Sequence, residues 1–348
     1  MAKNARNAPR LFLWLIVLVL VVATGVTLWR TGAFRAPPSI ALVPADNTPY
    51  WEDAILGARH AAERYNAVLT VHKVGGDEQT QSSILRDLAA ERVSGIAVSP
   101  LHANRQALLL REIGLKIPVV TLDSDSPLSG RMCFVGADNY TAGRQCGELV
   151  REALPEGGSV VIAVGSMDKA NGQLRRQGVI DELLERSFGP GRPVEPMNVI
   201  LQGPGHTVTA TLVDDTNPAQ AKANIAALLA SGDPPDCIVG LYSYNGPAAV
   251  EALTEAGAID DVVVIGFDYT DATLAAIEAG HIYASMAQDP YNYGYHAVRL
   301  LAEEARGKGH AILPMNGIID IRCFPINADN IENFRAKIVK RRSGPVEG

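Results

Sequence analysis

The stretch Ser39-Ile-Ala-Leu-Val-Pro-Ala-Asp-Asn-Thr-Pro-Tyr-Trp51 begins as a short apolar run and turns abruptly polar. After it, Trp51, Ala54, Ile55, Ala58, Ala61, Ala62 and Tyr65 recur at helical spacing, so a strand feeds a helix through a polar loop. The same unit repeats downstream. Strands are expected over 68–74, 95–98 and 118–122, with a helix carrying Ile84, Leu85, Leu88 and Ala89 on its buried stripe and another over 103–113. Short continuous apolar strands alternating with amphipathic helices predict a parallel sheet covered on both faces.

After a strand at 133–135 the pattern restarts. Helices are expected over 140–153, 173–186, 219–230, 247–256 and 272–279, and strands over 159–164, 237–241, 262–267 and 281–287, with strand material between 199 and 213. A helix over 291–305 and short returning segments close the chain. Its 348 residues suit two domains of roughly 130–150 residues, each able to bury its own core. No linker rich in Pro, Gly or Ser separates the halves, so the expected fold class is α/β, with two Rossmann-like parallel-sheet lobes joined by a multi-strand hinge. The first lobe is expected to take 39–137 plus 289–321, and the second 138–288 plus 322–340.

Ahead of the lobes, Lys3, Arg6 and Arg10 precede an apolar run over about 11–28. At about 1.5 Å per residue this run reaches roughly 27 Å, enough to cross a hydrocarbon layer, with the basic end on the cytoplasmic side. Ala23 and Gly25 offer a cleavage site, but Val26, Leu28 and Trp29 continue the apolar character and favour a retained transmembrane helix over a signal peptide. Residues 30–38 then read as a tether. The folded part is expected in the periplasm or another extracytoplasmic space, anchored through this helix.

Composition removes several functions. A formal net charge of −7 lacks the positive field that nucleic-acid binding requires. Cys133, Cys146, Cys237 and Cys323 have no metal-ligand spacing; buried free thiols are expected, with one bridge remaining an alternative. Gly75-Gly-Asp-Glu78 reads as a turn. No phosphate-binding glycine loop, H-E-x-x-H or G-x-S-x-G is present, so no catalytic residue, metal site or cofactor is assigned.

In open parallel sheets ligands bind beyond the carboxyl ends of the strands. Those positions carry Tyr50 and Trp51, then Asp123, Ser124 and Asp125, then Tyr242, Ser243, Tyr244 and Asn245, and finally Asp268 and Tyr269. Aromatic faces suit the C–H face of a sugar ring, and carboxylates and amides suit its hydroxyls. Each position also has a structural reading: Trp51 as a core residue, the aspartates as caps, Arg175 and Arg176 as a solvated helix face, Asp138 and Asn139 as capping residues.

The runs at 39–51, Pro118-Val-Val-Thr-Leu-Asp123, Val135-Gly-Ala-Asp-Asn139, Ile265-Gly-Phe-Asp268 and Ala287-Gln-Asp-Pro290 together resemble the ribose-binding, type I periplasmic sugar-binding family over roughly 39–322. The resemblance implies a monomeric receptor whose lobes close on a monosaccharide and pass it to an ABC transporter permease. It also implies that Tyr50 and Trp51 stack on the ligand, Asp123 grips hydroxyls, Arg175 is the ligand arginine, and Asp268 and Gln288 act near the hinge. Ser124 stands where the ribose binders carry arginine, and Thr48 where they carry asparagine, so ribose itself does not follow. Asp125, Tyr242 and Asn245 are assigned to the pocket from their positions alone. Two other functions stay open: a membrane-anchored sensor signalling to a partner receptor or kinase, and an enzyme acting on a sugar or nucleotide through Asp123 and Asp125. The lactose-repressor type of regulator shares this core but needs an amino-terminal DNA-binding module, whose place is taken here by the apolar run.

Overall fold

A computed structural model of the chain describes residues 14, 17–19, 22, 36–48, 50–189 and 191–344. The chain divides into two units, Met1–Pro38 and Ser39–Gly348. In the first, Trp14, Val17, Leu18, Val19 and Val22 are helical and exposed; the rest of the export segment expected at 11–28 lies outside the described residues. Among the described residues no helix is long and apolar enough to cross a membrane, so the anchor expected there is without structural support.

The second unit contains two sheets. In the first, β1 (Ser39–Val43), β2 (Val68–Val71), β3 (Gly95–Val98), β4 (Val119–Leu122), β5 (Cys133–Gly136) and β12 (Ile318–Asp320) run in the spatial order β2-β1-β3-β4-β5-β12, every pair parallel. The second comprises β6 (Gly158–Val164), β7 (Leu201–Gln202), β8 (His206–Val213), β9 (Cys237–Gly240), β10 (Val263–Phe267), β11 (Ala284–Ala287) and β13 (Phe324–Asn327), in the order β7-β8-β6-β9-β10-β11-β13. Only the edge pairs β7–β8 and β11–β13 are antiparallel. Strands β1, β3, β4, β5, β9 and β11 are buried along nearly their whole length, which explains their unbroken apolar sequence. In both sheets the winding reverses beside the first strand, between β1 and β3 and between β6 and β9. Each lobe therefore offers a crevice at the carboxyl ends of its strands.

Helix α1 (Tyr50–Arg64) packs on α9 (Pro290–Glu304), and α4 (Asn139–Ala153) packs on α5 (Ala170–Leu183). The second pair approaches very closely. A Cβ on Gly143 would lie 2.1 Å from the carbonyl oxygen of Arg175, and one on Gly178 would lie 2.2 Å from that of Tyr140. The chain passes between the two sheets three times, after β5, after β11 and between β12 and β13.

Three elements are each three residues shorter than the sequence suggests. The strand expected over 68–74 stops at Val71, because the chain turns through Gly75 and Gly76, both at positive φ, into Asp77, which caps α2 (Glu78–Glu91). The helix expected from 103 begins as α3 (Ala107–Gly114), since the side chain of Gln106 is used to bind Gln81 and the backbone of His102. The strand expected from 281 begins at Ala284; the preceding amides of His281 and Ile282 close the end of α8 (Asp271–Glu278) on the carbonyl of Ala276. The four cysteines are free and buried.

Candidate functional site

Strands β4 and β10 end identically. The residue after each is an aspartate in the left-handed region, Asp123 at φ 62° and Asp268 at φ 60°. The amide of Asp123 still donates to Val135 of β5 at 3.1 Å, and that of Asp268 to Met286 of β11 at 2.8 Å. The ladder thus extends one residue while the chain turns out of it. Left-handed backbone costs a non-glycine residue on the order of 1 kcal/mol, least for Asp and Asn, and such strain concentrates at ligand sites.

Around these acids the two lobes meet. Tyr50, the first residue of α1, donates its hydroxyl to Asp123 Oδ1 at 2.7 Å. From the second lobe, Arg175 in α5 is 2% exposed and lies with its Cζ 3.9 Å from the centre of the Phe267 ring. Its Nε donates to Asn139 Oδ1 at 2.8 Å and one Nη to the carbonyl of Leu241 at 3.0 Å. Asp268 Oδ1 accepts from Gln288 Nε2 at 2.9 Å, and Gln288 Oε1 in turn accepts from the Tyr293 hydroxyl at 3.2 Å. Asp123, Arg175 and Asp268 share one electrostatic environment. Burial pushes the Asp268 carboxyl up to about 6, against the opposing pull of Arg175 and Gln288. Burial likewise raises Asp123, with Arg175 and the Tyr50 hydroxyl pulling it back. The Tyr50 phenol is driven well above its ordinary value by burial and then by the Asp123 charge. For Arg175, burial disfavours the charge, but Asp268 and Asp123 outweigh it and the guanidinium is held more firmly protonated.

Tyr242 forms a second aromatic wall, its ring centre 5.9 Å from Arg175 Cζ and its hydroxyl donating to Asn171 Oδ1 at 3.2 Å. Gly165 makes room for it, since a Cβ there would lie 2.6 Å from the Tyr242 ring.

Six expected residues, Tyr50, Asp123, Arg175, Tyr242, Asp268 and Gln288, therefore converge, and the other three differ. Trp51 is 3% exposed and packed in the core, edge-on to Tyr50 at 5.3 Å, so it backs the ring that faces the site. Asp125 accepts from Arg131 Nη2 at 2.7 Å, from Thr121 Oγ1 at 2.8 Å and from the Ser126 amide at 2.7 Å, bonds that hold its loop, whereas the sequence places it in the pocket. Asn245 is fully buried, with both ends of its amide bonded within the protein. It accepts from the Tyr242 amide at 2.9 Å and donates to Asp214 at 2.8 Å, bracing the 242–245 loop from below. The solvated face considered for Arg175 and Arg176 is absent as well, because Arg176 is 1% exposed and spends its donors on Thr211, Glu195 and Pro196.

Sequence reasoning missed Asn139, Asn171 and Phe267 beside the site, and Asp214, which supports the 242–245 loop. Asp214 directly follows β8 and also accepts from the Tyr244 hydroxyl at 2.6 Å, so the strand-end rule that found Asp123 would have found it had β8 been delimited. The sequence offers both Asp138 and Asn139 as caps. The capping is done by Asp138, which accepts from the amides of Tyr140 and Thr141. Among the described residues no group of three His, Cys, Asp or Glu could hold a metal ion.

This two-lobed α/β fold, with acids from both lobes near one arginine, places the chain in the class of two-lobed α/β binding proteins. The periplasmic binding protein domain model matches residues 40–309, and the chain belongs to that family, as the strand-end motifs had indicated. Among curated relatives, the D-allose-binding periplasmic protein of Escherichia coli strain K12 is 24% identical over 299 residues, covering 82% of this chain and 89% of its own. Among solved structures, an ABC transporter solute-binding protein from Burkholderia graminis C4D1M in complex with D-arabinose superposes with a TM-score of 0.76 at 26% identity, covering 85% of this chain and 97% of that one. GanP, a glucose-galactose binding protein from Geobacillus stearothermophilus, gives 0.74 at 26%, with 84% and 98% covered.

Proposed function

We propose that this chain is an extracytoplasmic receptor that closes on a neutral monosaccharide or closely similar polyol and delivers it to an ABC transporter. The observation that carries the reading is the convergence of Asp123 from one lobe with Arg175 and Asp268 from the other, with the Tyr50 hydroxyl on Asp123 and the Tyr242 ring beside Arg175. Two carboxylates accept from vicinal hydroxyls, a guanidinium donates to ring or hydroxyl oxygens, and the rings cover C–H faces. The Arg175 charge is already met by Asp268 and Asp123, which leaves little positive field for an anionic ligand. Binding of D-allose and D-arabinose by relatives of the same fold agrees with this chemistry, and Lys3, Arg6 and Arg10 ahead of the apolar 11–28 run agree with export.

A ligand that binds only the folded state must raise its melting temperature. In a thermal-shift panel of pentoses, hexoses, inositols, amino acids and nucleosides, a few sugars or polyols are expected to stabilise the purified chain clearly. A flat response to all sugars and polyols from demonstrably folded protein would overturn the reading.

A further inference from the structure

We infer that Tyr269 and Asp53 form an interlobe latch that sets ligand affinity by holding the cleft closed, although neither residue belongs to the set around the ligand. This rests on the proposed receptor function for its effect on affinity, but not for the latch itself. Tyr269 follows β10 directly after the site acid Asp268, and Asp53 lies in the first turn of α1, three residues after Tyr50. The Tyr269 hydroxyl donates to Asp53 Oδ2 at 2.8 Å, joining the second lobe to the first immediately beside the site. The tyrosine ring is held edge-on against Phe334 of α10 (Ile331–Arg342), with ring centres 4.8 Å apart.

The same helix reinforces the junction from its carboxyl end. Arg342 lies 3.8 Å from Asp53 Oδ1, and Arg341 grips Asp289 at the start of α9 with two hydrogen bonds of 2.8 and 2.7 Å while covering the Tyr291 ring at 4.6 Å. Asp53 is largely shielded, its side chain 16% exposed, so a hydrogen bond to its carboxylate is worth more than an open surface contact. A contact made between lobes only on closure adds its free energy to every ligand that needs the closed form, because apparent affinity scales with the closed fraction.

The test compares full-length wild type with Tyr269→Phe, which keeps the ring on Phe334, and with Asp53→Asn. Small-angle scattering of the ligand-free proteins reads the latch without any ligand, and stopped-flow release of the best sugar from the thermal-shift panel reads its effect on affinity. We expect a larger ligand-free radius of gyration in both variants, about ten-fold faster release, an unchanged order of preference among sugars, and no further loss in the double variant. Scattering curves and release rates that superpose on wild type would overturn the latch, as would separate, fully additive losses in the double variant. If wild type binds no sugar, the receptor reading fails, while the ligand-free scattering still decides the latch by itself.

Discussion

Asp268 combines a buried carboxyl, raised to about 6, with left-handed backbone, and both cost the ligand-free fold stability. Its folded-state value lies above the roughly 4 of an exposed carboxyl. The stability contributed by its protonated form is therefore complete below about pH 4 and is lost as pH rises through about 6. Asp268→Asn should accordingly raise the melting temperature of the ligand-free protein at pH 7, by the equivalent of ~1–2 kcal/mol. The same substitution should weaken sugar binding by at least ~2 kcal/mol in titration calorimetry, since it removes a charged acceptor. Hydroxyl donors favour the ionised acid, so binding between pH 4 and 6 should release protons. Affinity measured from pH 7 down to pH 5 should fall, and a flat profile would remove Asp268 from the contact set. The acid was legible because it stands alone after an apolar strand. Its partner Arg175 was separable from Arg176 only by resemblance, since adjacent arginines on one helix carry no mark of which one faces a cleft.

At the scale of elements, the α4–α5 contact decides where Arg175 points. Gly178→Ala would place a methyl 2.2 Å from the Tyr140 carbonyl, a backbone atom that can move only with its helix. Overpacking of this kind costs ~1–3 kcal/mol, and it should shift the urea midpoint down while also weakening binding by displacing the arginine. A stability loss with unchanged affinity would show that Arg175 is placed independently of this contact. Most strands and helices were legible from periodicity, because parallel strands buried on both faces are apolar throughout. The misjudged ends lie where side chains intervene, as Gln106 does ahead of α3, or where helix closure consumes amides, as at His281 and Ile282. For Asp125 and Asn245 the sequence cannot separate facing a ligand from bracing a loop, since both roles place a polar residue at a strand end; the bonds to Arg131 and Asp214 are visible only in the fold.

For the whole molecule, two sheets of the same winding are joined by three crossings of the chain, and the proposed function requires those crossings to act as a hinge. Sugar binding should reduce the radius of gyration of wild type in solution scattering, and no contraction at saturation would contradict closure. The division into two lobes was readable from the restart of the strand–helix pattern, whereas contacts between lobes, such as Tyr269 with Asp53, have no signature in a single chain. The four thiols carry one further consequence. Cys133, Cys146 and Cys237 are completely inaccessible and Cys323 is 6% exposed, and burial pushes the Cys323 thiol up to about 12. Thiolates being the reactive species, native protein should leave Ellman's reagent uncoloured until it is denatured. A fluorophore attached through one cysteine introduced at the cleft rim would then report on ligand in otherwise unmodified protein, with no need to strip the natural sulfhydryls first.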